Sequence, residues 1–247
     1  MNKITLPLIL ALFTFTALKA QNSESRSVLV DFDGFSNEQY AAYLEKDGWP
    51  QDTLNTGATE KYLSDEEKNL ILAMNLIRYN PAKYAELYVL PRFEYYSGNL
   101  FHFPGKVPTR TSEGLEAAEE LYVELKNAES IPLFYPSEGM SKGSEDHALY
   151  MKRTGITSHK GQGGMSKRVS KYGEWKGGLA ENLQWGTSNA HEAIMSLMID
   201  DGIPGRGHRI NAMNPAYTKV GVAIAPHPEY RISYVINFAN DYIENKE

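Results

Sequence analysis

Apolar residues at Leu70, Ile71, Met74 and Ile77 recur at helical spacing directly after Ser64-Asp65-Glu66-Glu67, whose serine and second glutamate form a capping box. A helix is therefore predicted to start at Ser64. Asn80-Pro81 interrupts or restarts it, because proline lacks the N–H an interior helical turn needs, and Ala82 to Val89 continues in helical style. Pro91 to Thr111 carries prolines, glycines and several aromatics, and reads as a long, partly packed loop. A second helix is expected from Ser112 to Ala128, with Leu115, Ala118, Leu121, Tyr122 and Leu125 on one stripe. A third is expected to begin near Ser137, where Met140, Ser144, His147, Ala148 and Met151 share a face and Gly155 stops it. Gly155 to Gly178 reads as irregular. A fourth helix spans Ala190 to Ile199 and gives way to the turn Gly202-Ile203-Pro204-Gly205.

The period then changes. Val220, Val222 and Ile224 alternate, as do Ile232, Tyr234, Ile236 and Phe238, with Pro226-His227-Pro228 between them; two antiparallel strands follow. Helices come first and strands last, without βαβ alternation. The pattern predicts an α+β protein with helices packed against a small antiparallel sheet.

Upstream of Ser64 the pattern is different. Leu6 to Leu18 is almost wholly apolar, and polarity returns at Lys19-Ala20-Gln21. The run is about 13 residues long, too short for the about 20 that span a bilayer, so residues 1–20 are expected to be a signal peptide. The protein is then exported, either secreted or periplasmic, with no transmembrane segment. Residues 21–63 are polar and broken by Gly34, Gly48, Pro50 and Gly57, with one short helix expected from Glu38 to Lys46, and read as an N-terminal extension to a domain at 64–247.

The chain has no cysteine, which excludes disulfides, thiolate metal ligands, a thiol nucleophile and a lipidated cysteine. Its formal charge of -6 argues against nucleic acid as partner, since such binders usually carry a basic stripe.

Histidines stand at 102, 147, 159, 191, 208 and 227. His147 lies on the apolar stripe of its helix and reads as a core residue, while His102 and His227 sit beside prolines in loops and His191 begins a helix. His159 and His208 sit in glycine-rich sequence with polar neighbours, and between them come Glu181 and the pair Asp200-Asp201. Two imidazoles and two carboxylates suit a divalent cation, zinc above all, if the fold brings them together. The helical His-Glu-x-x-His signature of zinc proteases is absent. Gly139-Met140-Ser141-Lys142-Gly143 matches the nucleophile elbow of serine hydrolases in letters only, because a helix start and no strand precedes it. Gly161 to Gly164 lacks the ending of a phosphate loop. Arg206 and Arg209 make a weak anion site at most, and Trp175 and Trp185 read as packing.

The order of these features resembles one family. Asn75-Leu76-Ile77-Arg78 and Asn80-Pro81 come first, then His147-Ala148-Leu149-Tyr150-Met151, His159, Ala180-Glu181-Asn182-Leu183, Asp200, Gly207-His208-Arg209, Asn214-Pro215 and Val220-Gly221-Val222-Ala223. Over about residues 66 to 240 the chain resembles the CAP superfamily of cysteine-rich secretory, antigen 5 and pathogenesis-related 1 proteins, in a bacterial, cysteine-free form. The resemblance implies an α-β-α sandwich with a central antiparallel sheet and a cleft holding His159, Glu181, Asp200 and His208. Asp201 is an alternative second acid, because the tryptophan that usually precedes that acid is Leu197 here. Asn182, Asp201 and Arg209 are expected to support the cleft, and His159 and His208 to be the metal ligands. Two functions follow: a non-catalytic binder of a divalent cation, a small ligand, a lipid or a protein, or a metal-dependent hydrolase with Glu181 as general base.

Overall fold

The computed structural model describes residues 29–245, so the expected signal peptide lies outside the described residues. The elements, in chain order, are α1 (Asn37–Lys46), the single turn α2 (Gln51–Leu54), α3 (Asp65–Tyr79), α4 (Pro81–Tyr84) running on through a π turn (Ala85–Val89) and a 3-10 turn (Leu90–Tyr95), and the short strands β1 (Tyr96–Ser97), β2 (Leu100–Phe101) and β3 (Thr109–Arg110). There follow α5 (Glu116–Asn127), β4 (Tyr135–Pro136), α6 (Glu138–Thr154), α7 (Met165–Val169), β5 (Gly173–Trp185), α8 (Ala190–Ile199), α9 (Gly207–Met213), β6 (Lys219–His227) and β7 (Arg231–Glu244).

The main sheet has the order β4-β6-β7-β5 and is antiparallel except at the β4–β6 edge, which is parallel. Alternation along its strands makes the sandwich. Tyr234, Ile236 and Phe238 of β7, with Val220 and Val222 of β6, enter the large core shared with α3, α5 and α8. The intervening Val235, Ala223 and Ala225 meet Ala148 and Met151 of α6 on the other face. Helix α6 sits close to that face, and a Cβ added at Gly221 would lie 2.2 Å from the Met140 backbone. Helices on both sides of one sheet make this an α-β-α sandwich within the α+β class.

Ser64 and Glu67 form the capping box of α3, and Asn80 caps α4 at the predicted break. Helices α6 and α8 lie where the apolar stripes put them. Four stretches differ from the sequence expectation. Pro91–Thr111 is no plain loop, since it holds the 3-10 turn and the three-stranded sheet β1-β2-β3. Helix α5 starts at Glu116 and not Ser112, because the Ser112 and Glu113 N–H groups donate to the Asp201 carboxylate at 2.7 and 2.8 Å. Gly155–Gly178 contains α7 and the start of β5. The sheet has four strands where two were legible. Strand β5 pairs with β7 from Gly173 to Trp185 through an irregularity between Lys176 and Leu179, where Gly177 takes φ +69° and its neighbour packs on Tyr217.

Residues 29–63 do more than extend the chain. Phe32, Tyr40, Leu44, Trp49, Leu54 and Leu63 are buried in the large core. Tyr40 Oη lies 3.1 Å from His191 Nδ1, and Tyr84 Oη lies 3.3 Å from His191 Nε2, so both ring nitrogens of this buried imidazole are engaged. Two polar residues of α3 lock other segments. Asn75 bonds the backbone of Leu54 and Phe134, and Arg78 donates to the carbonyls of Pro132, Ala212, Asn214 and Tyr217 while stacking on Phe134.

Candidate functional site

Glu181 and Asn182 are successive residues of β5, an edge strand, so their side chains leave opposite faces of the sheet. Glu181 shares the α6 face with Leu183, which packs on Ala148. Asn182 shares the α8–α9 face with Gln184, whose amide reaches Ser196 at 3.1 Å. The candidate site is organised by this parity.

On the α6 face, His159 Nδ1 is 3.0 Å from Glu181 Oε1, and Arg168 Nη2 donates to Glu181 Oε2 at 2.5 Å. The Glu181 and Arg168 side chains are 2% and 1% exposed, whereas that of His159 is 55% exposed. The pair is therefore buried beneath an imidazole that meets solvent. Burial pushes the Glu181 carboxyl up, but the His159 hydrogen bond and the Arg168 charge outweigh it and hold it below the usual carboxylate range.

On the α9 face, His208 Nδ1 is 2.6 Å from Asp200 Oδ1, and the His208 backbone N–H donates to Asp200 Oδ2 at 2.9 Å. The Asp200 carboxylate thus caps the first turn of α9 while orienting the His208 ring. Its own backbone adopts φ +55°, a left-handed conformation that ends α8 and turns the side chain toward His208. Asp201 points the other way, to Ser112 and Glu113, and of the two acids Asp200 meets the histidine.

Asn182 links the halves, donating to the His208 carbonyl at 2.9 Å and accepting from Asn211 at 2.8 Å. Arg209 is buried, donating to the Met198 and Ile199 carbonyls and to Glu120 and Glu124. Arg206 is paired with Glu113 and Glu120, so neither arginine is left to hold an anion. His208 lies in α9, a short helix without an apolar stripe that tertiary contacts of Arg209 and Arg78 hold in place.

The four expected residues therefore form two His–carboxylate pairs on opposite sides of one strand. Among the described residues no three His, Asp or Glu side chains come together as a metal cage. In each pair the imidazole spends Nδ1 on its carboxylate, and Nε2 has no protein partner among the described residues. Arg168 was not anticipated, because nothing in the irregular stretch around it marks an arginine as buried. The remaining histidines have other work: His147 Nε2 is 2.9 Å from the Ser158 carbonyl, and His227 Nδ1 accepts from Glu229 and Tyr230 N–H groups in the β6–β7 turn. Ser141 accepts from the Val222 N–H at 3.2 Å inside α6, which is no nucleophile elbow.

A three-layer sandwich carrying histidine–carboxylate pairs at the edge of its sheet defines the class of fold expected from the sequence. Residues 110–238 match the model of the cysteine-rich secretory protein family, CAP, and the chain belongs to that family. No curated protein matches the sequence. Among solved structures, an extracellular protein containing an SCP domain from Bacillus anthracis str. Ames is 20% identical with a TM-score of 0.37, the match covering 45% of this chain and 35% of that one. The chain thus spans about a third of that relative. An outer surface protein from Borrelia burgdorferi is 17% identical with a TM-score of 0.39, over 50% of this chain and 92% of that one.

Proposed function

We propose that this protein is an exported, non-catalytic binding member of the CAP family that takes a divalent cation, zinc by donor chemistry, through Nε2 of His159 and His208, the two rings reaching it from opposite faces around the free edge of β5. The observation that carries the reading is the use of Nδ1 in both rings. A carboxylate behind each imidazole fixes its orientation, which is the arrangement found behind zinc-bound histidines. Glu181 and Asp200 act here as supports and not as ligands, since their oxygens are engaged by His159, Arg168 and His208. Two imidazoles leave the remaining positions of a tetrahedral ion for water or for a donor group of a small ligand, lipid or protein.

The hydrolase reading has less support. Its general base would be Glu181, a carboxylate held low and already bonded on both oxygens. Export rests on the leader pattern of residues 1–20, and among the described residues no helix is long and apolar enough to cross a membrane.

The test is calorimetric titration of the mature protein with zinc at constant pH near neutrality, beside a His159→Ala, His208→Ala double variant. Uptake by wild type and its loss in the variant are expected. Equal uptake by both sinks the assignment.

A further inference from the structure

Arg168 lies in α7 and is not a ligand in the cation reading, yet its guanidinium joins the Glu181 carboxylate to the loop that carries His159. Nη2 donates to Glu181 Oε2 at 2.5 Å, and Nη1 donates to the carbonyls of Gly161 at 2.9 Å and His159 at 3.4 Å. His147 holds the same loop from α6, with Nε2 at 2.9 Å from the Ser158 carbonyl. The loop from Ser158 to Gly161 is thus gripped at three carbonyls by two buried side chains.

A guanidinium stays charged and can only donate. Its buried partner Glu181 therefore stays ionised and can only accept. The Glu181 oxygen facing His159 Nδ1 then demands a proton on that nitrogen, and the lone pair of a neutral ring is left on Nε2. We propose that Arg168 is a positioning residue that selects the Nδ1–H tautomer of His159 and so decides which ring nitrogen is offered to a ligand. This rests on the reading that His159 binds through Nε2, but its first test needs no ligand.

Glu181→Gln keeps shape and removes the charge. An amide has one acceptor atom, its oxygen, and Arg168 has no acceptor to offer its nitrogen. The oxygen must go to Arg168, which turns the amide nitrogen, a donor, toward His159 Nδ1. The His159 proton should move to Nε2. Nitrogen NMR of the metal-free protein, with the pH raised until the His159 ring carries a single proton, reads the tautomer directly. Expected are Nδ1–H in wild type, Nε2–H in Glu181→Gln, and return toward Nδ1–H when Arg168→Met is added to Glu181→Gln. Retention of Nδ1–H by the folded Glu181→Gln protein overturns the proposal, because the amide oxygen has then stayed with His159 regardless of Arg168. The near-isosteric single variant keeps the test valid even if loss of Arg168 prevents folding. Zinc titration of Glu181→Gln should show affinity weakened about 10-fold or more. If wild type takes up no zinc, the cation reading fails while the tautomer result still judges Arg168.

Discussion

His191 gives the sharpest prediction about stability. The ring is buried against Phe32, Tyr84 and Tyr88, each of its nitrogens meets a tyrosine hydroxyl, and burial outweighs the nearby Glu192 charge to push its pKa from 6.5 down to about 4. In the unfolded chain the imidazole titrates near its ordinary value. Between the two, the unfolded chain binds a proton that the folded one refuses, so stability is full above about pH 6.5 and is lost as the pH falls toward about 4. At about 1.36 kcal/mol per pH unit the gap amounts to about 3 kcal/mol, with about 1.4 kcal/mol gone by about pH 5.5. His191→Gln keeps a donor and an acceptor near the tyrosines and removes the titration. Urea unfolding of both proteins across this range isolates the term, because the carboxylates and the other histidines are common to both. Wild type should lose about 3 kcal/mol more than the variant on going from about pH 7.5 to about pH 4. Parallel curves would refute the reasoning, since the ring would then be accepting its proton in the folded state.

Two further outcomes are expected. Arg78→Met should cost about 3 kcal/mol or more, because four carbonyls lose a charged donor inside the core, and Arg78→Lys should recover little, since one ammonium cannot span Pro132, Ala212 and Tyr217; urea unfolding reads both. Intact-mass measurement of the exported protein should find Gln21 as its first residue, and a mature chain beginning at Met1 would contradict the leader reading.

The parts of the fold that were legible are those with one dry face. Helices α3, α6 and α8 and strands β6 and β7 each present a regular apolar period to a core, so periodicity alone located them. Strand β5 was not legible because its faces are polar where the site lies, at Glu181 and Asn182, and glycine-rich where it bends. The packing of residues 29–63 was hidden for another reason: Phe32, Trp49 and Leu54 are isolated anchors separated by polar turns, which leaves no period to read. At the site, residue types and order brought forward His159, Glu181, Asp200 and His208, but pairing is a property of backbone direction. The left-handed conformation at Asp200 separates it from Asp201, and that angle has no signature in an Asp-Asp pair. Arg168 left no trace in sequence because its burial depends on a partner on another element.

The edge strand carries a consequence in terms of parity. Both halves of the candidate site hang from adjacent residues of β5, so the assignment of Glu181 to one layer and Asn182 to the other depends on whether an odd or an even number of residues separates them from the Gly177–Gly178 irregularity. Loss or gain of a single residue there would exchange the faces, taking Glu181 from His159 and Arg168 and Asn182 from His208 and Asn211 at once, whereas a change of two would restore them. For this strand, length is counted in twos.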